Sequence, residues 1–157
     1  MQTQAVEIIE TEIVLEKAMS LNHSRLTGRI SYLLTDAYEA RFDALPELEF
    51  ELSTGNFKPD IAIISKQAYD WQEDVIRFQH PPITAIEILS PTQAFDAVAS
   101  KIRKCYLPAR VQSAWLVVPF VKTIHLFLPD GSITTFSSGT LRDPACGVEL
   151  EVSAIFR

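Results

Sequence analysis

Two carboxylates have the residue type and the setting that a divalent metal site requires. Asp60 follows Pro59 at the start of an apolar run, and Glu87 stands inside a second apolar run over residues 85–89. A buried carboxylate is costly unless it is paired or holds a cation. Mg²⁺ prefers oxygen ligands and keeps several waters, so one or two carboxylates are enough to bind it. If the two strands are neighbours, Asp60 and Glu87 are expected to hold Mg²⁺ or Mn²⁺.

Lys101 adds a cation to this pair. On a helical wheel it lies beside Val98 and Cys105, at the edge of an apolar stripe. A lysine in this position can lay its stem on the core and turn its ammonium group toward the end of a sheet. Close to a metal-activated water, that group would stabilise the charge that develops during phosphodiester hydrolysis. Asp60, Glu87 and Lys101 are therefore the predicted catalytic residues.

Each of these residues also fits a structural role when it is considered alone. Aspartate after proline is common in turns that precede strands. Glu87 is compatible with a salt bridge to a buried basic residue, and Lys101 with a surface position. His23 fits packing at the start of a helix better than the binding of a phosphate, and Tyr106 fits the core. Only the combination of the two acids and the lysine points to chemistry.

The elements that must position these residues follow from apolar periodicity, which predicts the order β, α, β, β, β, α, β, β, β. Asn22 and Thr92 are expected to cap the two helices. The expected elements cover a strand or hairpin at 6–16, a helix at 22–36, strands at about 48–52, 60–64, 83–89 and 114–118, a second helix at about 93–107, a hairpin at 124–136 and a short apolar segment at 148–156.

The connections between these elements indicate the fold class. The strand, helix and strand over residues 83–118 predict a right-handed crossover between parallel strands. Three central apolar strands with helices before and after them imply an α/β fold, with a mixed β-sheet flanked by α-helices. The 157 residues contain no repeat, low-complexity tract or Gly/Ser linker, so a single domain over residues 1–157 is expected.

Composition limits the partners and the compartment. The net charge of −6, all of it carried by residues 1–55, does not favour a nucleic-acid partner. Residues 97–112, in contrast, hold four bases and no acid, which is typical of a solvated helix face or of a surface that faces phosphates. Two cysteines without disulfide or metal spacing predict a cytoplasmic protein. No apolar run reaches the length of a membrane helix.

Several short motifs also follow one another in a specific order. They are Pro59-Asp60, Glu87-Ile88-Leu89-Ser90-Pro91, then Asp96, Lys101 and Tyr106, and Ala114-Trp115-Leu116-Val117-Val118-Pro119. Their order and spacing resemble the Uma family, whose members are described as restriction endonucleases of the PD-(D/E)XK nuclease superfamily. The resemblance runs from about Lys58 to the C-terminus and includes His23 more weakly.

The resemblance implies a restriction-endonuclease-like fold and a metal-dependent endonuclease that hydrolyses phosphodiester bonds of DNA. A homodimer is compatible with it, because such folds often use two copies to cut both strands. The superfamily usually has a lysine two residues after the glutamate, where this chain has Leu89. The resemblance implies that Lys101, from the following helix, takes this role. The alternative is a catalytically inactive module that keeps the fold and binds nucleic acid or a protein.

Overall fold

The computed structural model describes residues 19–157 of the chain. Its helices are α1 (Leu21–Tyr38), α2 (Phe95–Lys101) and α3 (Val152–Ile155). A π-helical turn, Ile102–Tyr106, and a 3-10 turn, Leu107–Ala109, continue directly from α2. The strands are β1 (Phe42–Pro46), β2 (Glu49–Leu52), β3 (Gly55–Phe57), β4 (Ile61–Ser65), β5 (Arg77–Phe78), β6 (Thr84–Ile88), β7 (Ser113–Val118), β8 (Thr123–Phe127), β9 (Ile133–Phe136), β10 (Thr140–Arg142) and β11 (Glu149–Glu151).

A six-stranded mixed sheet forms the centre of the molecule, in the order β1-β4-β6-β7-β8-β9. Only β6 and β7 are parallel within it, and the remaining neighbours are antiparallel. The parallel pair is joined through α2, as a crossover requires, because parallel strands cannot be linked by a tight turn. The predicted fold class, a mixed β-sheet flanked by α-helices, is confirmed.

The central strands are apolar on both faces because both faces are covered. On one face, Ile61, Ile63, Ile86 and Ile88 pack with α1 and with the C-terminal elements. On the other face, Ala62, Ile64 and Ala85 pack with α2, the π-helical turn and the small sheet β3-β2-β5. Successive residues of a strand point to opposite faces. Glu87 therefore shares the face of Ala85, toward α2.

Helix α1 forms where the apolar spacing predicts it, but its cap is different. Ser20, and not Asn22, is the N-cap, and its side-chain oxygen accepts a hydrogen bond from the His23 backbone N–H at 3.2 Å. The helix then buries one stripe, His23, Leu26, Thr27, Ile30 and Leu34. Both asparagine and serine are good caps. The buried stripe begins at His23, and capping by Ser20 places His23 inside the first turn of the helix.

The second helix also differs from its prediction. It begins at Phe95, and Thr92 does not cap it, because the N-cap is Ala94 and makes no side-chain hydrogen bond. The Thr92 hydroxyl instead lies 3.3 Å from the Ser90 hydroxyl, within the preceding turn. Regular α-helix ends at Lys101 and gives way to the π-helical turn. Hydropathy periodicity could not reveal this change of helix type.

The short strands are the elements that the sequence did not predict. β1, β3, β5 and β10 have two to five residues each. Strands this short carry little alternation, so long-range pairing decides whether they form. The strand or hairpin predicted over 6–16 lies outside the described residues. Within residues 19–157, no helix has both the length and the apolar character needed to cross a membrane.

Candidate active site

The register of two neighbouring strands brings Asp60 and Glu87 together. β4 and β6 run antiparallel, with Ile61 opposite Ile86. Continuing this register by one residue places Asp60 opposite Glu87. Directly opposed residues of an antiparallel pair have Cβ atoms about 4.5–5.5 Å apart. The two carboxylates thus share one end of the sheet, as the prediction required.

Two donors from the α2 side hold Glu87. The Lys101 Nζ lies 2.9 Å from Glu87 Oε1, and the Tyr106 hydroxyl donates to the same oxygen. The Glu87 side chain is only 5 % exposed, whereas that of Lys101 is 31 % exposed. Lys101 thus reaches the site from the helix and keeps contact with water. Leu89, two residues after Glu87, packs against the α2-side core and supplies no charge to the site.

The π-helical turn explains how Lys101 and Tyr106 converge on one oxygen. In an α-helix, residues five positions apart lie roughly 140° apart around the axis. The π-helical turn carries a hydrogen bond from the Leu107 N–H to the Ile102 carbonyl, which spans five residues. Such a turn holds one more residue than an α-helical turn, so residues five apart come closer to the same face. The lysine and the tyrosine therefore both point toward Glu87.

Asp60 is held from the opposite side of the sheet. The His23 Nε2 lies 3.0 Å from Asp60 Oδ2, and the Ile88 backbone N–H donates to the same oxygen at 2.7 Å. The Thr27 hydroxyl lies 3.4 Å from His23 Nδ1, on the next turn of α1. His23 is therefore part of the site, and the expectation that it serves packing at the helix start was incomplete. Its place on the apolar stripe of α1 was the available signal.

Tyr106 is the second residue whose contribution the sequence analysis missed. It is fully buried, as expected of a core residue, but its hydroxyl is directed at Glu87. A buried tyrosine hydroxyl normally finds a partner. The identity of that partner could not be read from the sequence, because it depends on the π-helical turn.

Burial dominates the electrostatics of this cluster. It raises the pKa of Glu87 to about 7, and the positive charge of Lys101 opposes the shift. The charge of Asp60 also raises the pKa of Glu87, because the two acids lie side by side at the sheet end. The hydrogen bond to Asp60 raises the pKa of His23 against the effect of burial. Burial and the nearby Glu87 also raise the pKa of Tyr106.

The carboxylates are arranged in a way that fits a hard divalent cation. Among residues 19–157, the hydrogen bonds and ion pairs of each acidic side chain go to a single oxygen, Asp60 Oδ2 or Glu87 Oε1. The second oxygen of each is left for another ligand. The described part of the chain has no group of three or more His, Cys, Asp or Glu side chains placed to hold a metal. Waters would have to complete the coordination, which Mg²⁺ tolerates.

The predicted basic patch over residues 97–112 divides into two parts. Lys101 turns inward to Glu87, whereas Arg103, Lys104 and Arg110 are exposed. The patch is therefore weaker than the sequence suggested, since one of its four charges is neutralised by a buried acid.

Comparisons with known proteins agree with this architecture. Residues 1–151 match the model of a family described as "Uma2: Putative restriction endonuclease". The fold is similar to the crystal structure of a protein from Anabaena variabilis ATCC 29413 that is described as a putative nuclease belonging to DUF820. The TM-score is 0.75 at 22 % sequence identity, and the match covers 87 % of this chain and 81 % of that one. This likeness concerns the fold alone. No curated protein matches the chain.

Proposed function

The chain belongs to the Uma2 family of restriction-endonuclease-like proteins, and we propose that it is a metal-dependent endonuclease that hydrolyses phosphodiester bonds of DNA. Mg²⁺ is the proposed ion, with Mn²⁺ as a substitute. Asp60 and Glu87 are the proposed metal ligands, and Lys101 is the proposed catalytic cation.

The observation that supports this proposal most strongly is the meeting of three charged groups at one sheet end. Asp60 lies opposite Glu87 in the continued β4–β6 register, and Lys101 Nζ is 2.9 Å from Glu87 Oε1. The groups come from three separate elements. A structural salt bridge would need only Glu87 and Lys101. It would not require a second acid, held by His23, to stand beside Glu87 as a like charge.

Each residue has a distinct task in this proposal. A divalent ion bound here would neutralise a phosphate oxygen and provide a water of lowered pKa. Asp60 and Glu87 offer one oxygen each, and their other oxygens are fixed by His23 and the Ile88 N–H, and by Lys101 and Tyr106. The partly exposed Lys101 ammonium can also face the substrate, where it would stabilise charge on the phosphate in the transition state.

The test is plasmid nicking by matched isosteric variants. Asp60→Asn and Glu87→Gln are expected to lower the nicking rate in Mg²⁺ or Mn²⁺ by at least about 100-fold, and EDTA is expected to abolish nicking. Asp96→Asn is the control, because Asp96 is an exposed acid in the first turn of α2. Equal nicking by the wild-type protein and all three variants would show that the activity lies elsewhere in the protein or belongs to a contaminant.

A second candidate is a nuclease fold that binds nucleic acid or protein without cutting. One observation favours it: Lys101 and Tyr106 already pair with Glu87 in the absence of a metal ion. Calorimetry with Mn²⁺ separates the candidates. An active site is expected to take up the ion, and Asp60→Asn is expected to weaken uptake. A folded protein that takes up no Mn²⁺ would favour the inactive module.

Cleavage of both strands of a duplex would require two copies of the site. We therefore propose a homodimer as the active form on duplex DNA. Light scattering with and without DNA tests this, and a monomer that nicks only one strand would contradict it.

A further inference from the structure

A groove adjoins the proposed active site at the same end of the sheet. It has a volume of about 610 Å³ and is lined by residues from the start of α1, the loop after β6 and the end of β7. Ser90 lies three residues after Glu87, and Ser20 caps the helix that carries His23. Residues that directly neighbour the proposed site in sequence thus line the groove.

Most of the groove wall is apolar. Leu21 and Phe120 are 86 % and 97 % exposed, and the less exposed Leu89 and Val118 line the groove with them. Two amides, Asn22 and Gln93, also line the groove. A contiguous apolar surface rimmed by polar residues is a feature of ligand-binding grooves. A nucleobase matches it, because a base has an apolar face that stacks on aromatic rings and polar edges that bond to amides.

A smaller pocket of about 170 Å³ continues from the groove and shares Asn22 and Pro119 with it. Three of its lining residues are basic: Arg25, Lys122 and Arg157. Among the described residues, no Asp or Glu side chain lines either pocket, and none of the three bases forms an ion pair with an Asp or Glu side chain. One Arg25 nitrogen donates at 3.0 Å to the main-chain oxygen of Arg157, the last residue of the sequence.

The turn between β7 and β8 connects the two pockets. It carries Phe120 in the groove and Lys122 in the basic pocket. Lys122 has a positive φ of 53°, and its N–H donates to the Pro119 carbonyl at 3.2 Å. Left-handed backbone is uncommon for a residue other than glycine. The tight turn thus carries an aromatic residue and a basic residue two positions apart, one at each pocket.

We propose that the groove, lined by Phe120 and Leu21, binds an unpaired base of a single-stranded nucleic acid, and that the pocket of Arg25, Lys122 and Arg157 binds the phosphate of an adjacent nucleotide. This inference rests on the proposed nuclease function and narrows its substrate to strands with unpaired bases next to the cleavage point. The net charge of −6 disfavours a binding mode that depends on charge alone. Binding to single strands draws on stacking as well as on charge, whereas a duplex presents only its backbone and groove edges.

The experiment measures binding in EDTA, so that it does not depend on cleavage. Fluorescence anisotropy is recorded with a labelled oligodeoxythymidylate, its ribose counterpart, a hairpin duplex of equal length and a strand of abasic sites. The unpaired deoxy strand is expected to bind about tenfold more tightly than the duplex or the abasic strand, the size of effect expected from stacking one base. The ribose strand shows whether the site distinguishes the sugar.

Two exposed residues and their matched controls locate the binding. Phe120→Ala is expected to lower affinity for the unpaired strand about tenfold and to leave the abasic strand unchanged. Trp71→Ala is the control, because Trp71 is 90 % exposed and lines neither pocket. Lys122→Gln is expected to reduce the slope of log affinity against log salt by about 0.7, and Lys104→Gln is expected to leave it unchanged.

Several results would overturn the inference. Equal affinity for duplex and unpaired strands would do so, as would an affinity for the unpaired strand that Phe120→Ala leaves unchanged or that Trp71→Ala lowers equally. The absence of binding to any oligonucleotide would also do so, and it would favour a protein ligand. Nicking by the wild-type protein, measured separately in Mg²⁺, tests the nuclease function. A protein that nicks duplex plasmid but shows no preference for unpaired strands would refute only the further inference.

Discussion

Lys101 Nζ lies 2.9 Å from Glu87 Oε1, although the two residues belong to different elements of the crossover between β6 and β7. The ammonium group approaches from the helix, whereas Leu89, two residues after Glu87, packs against the α2-side core. The charge beside Glu87 is therefore supplied by the helix and not by the strand that carries the acid.

The first prediction concerns Lys101. Lys101→Met keeps the apolar stem and removes the charge, so it is expected to lower metal-dependent nicking about 100-fold while the protein still folds. Lys104→Met, on the exposed part of the same segment, is the control and is expected to retain full activity. Circular dichroism checks folding in both proteins. Full activity in Lys101→Met would remove this residue from the mechanism.

The second prediction concerns Tyr106, which fixes the orientation of Glu87 through its hydroxyl. Tyr106→Phe is expected to lower the free energy of unfolding by about 1.5–3 kcal/mol, as for a hydrogen bond to a charged group. It is also expected to weaken Mn²⁺ binding in calorimetry, because Glu87 is then held by Lys101 alone.

A matched control separates these two effects of Tyr106. The Tyr69 hydroxyl donates to Asp43 Oδ2 at 2.9 Å, in a pair outside the site. Tyr69→Phe is expected to cost stability without changing Mn²⁺ affinity. If Tyr106→Phe also leaves Mn²⁺ affinity unchanged, its hydroxyl serves stability only.

The third prediction concerns the pH dependence that Glu87 gives to the metal-free protein. Its pKa is raised from 4.5 to about 7, mainly by burial. The folded protein thus binds this proton more tightly than the unfolded chain does. The resulting stability is fully present below about pH 4.5 and is lost as the pH rises through about 7, by an amount on the order of 3 kcal/mol.

Urea unfolding of wild type and Glu87→Gln between pH 5 and pH 8 checks this expectation. The difference in unfolding free energy between the two proteins is expected to shift in favour of the variant as the pH rises. A difference that stays constant across this range would mean that Glu87 titrates near its ordinary pKa.

The fourth prediction concerns His23. The hydrogen bond to Asp60 raises the pKa of His23 above 6.5. Its contribution to stability is therefore present below pH 6.5 and is lost as the pH rises through the raised value. His23→Gln is expected to reduce the change in the free energy of unfolding between pH 6 and pH 8. NMR titration of the His23 ring in the wild-type protein measures its pKa directly. A ring that titrates below 6.5 would contradict the pairing with Asp60.

The sequence predicted the parts of the site that depend on strand patterns. The apolar runs around Asp60 and Glu87 predicted two buried strands, and the structure shows that these strands are neighbours. Lys101 was found from its place at the edge of a helical stripe. All three lie at one sheet end in the structure.

The remaining parts depend on tertiary contacts. His23 meets Asp60 only because α1 packs across the sheet, and Tyr106 meets Glu87 only because the helix changes to a π-helical turn. The strands β3 and β5 form by pairing with β2, and their own two or three residues carry too little pattern to predict them. Local periodicity contains none of this information.

The site joins two cores that the central sheet otherwise keeps apart. His23 belongs to the layer of α1, whereas Tyr106 belongs to the layer of α2. An ion shared by Asp60 and Glu87 would therefore link the unfolding of both layers. Occupancy would then be visible far from the ligands, as slower amide exchange in α1 and in the segment after α2 at the same time.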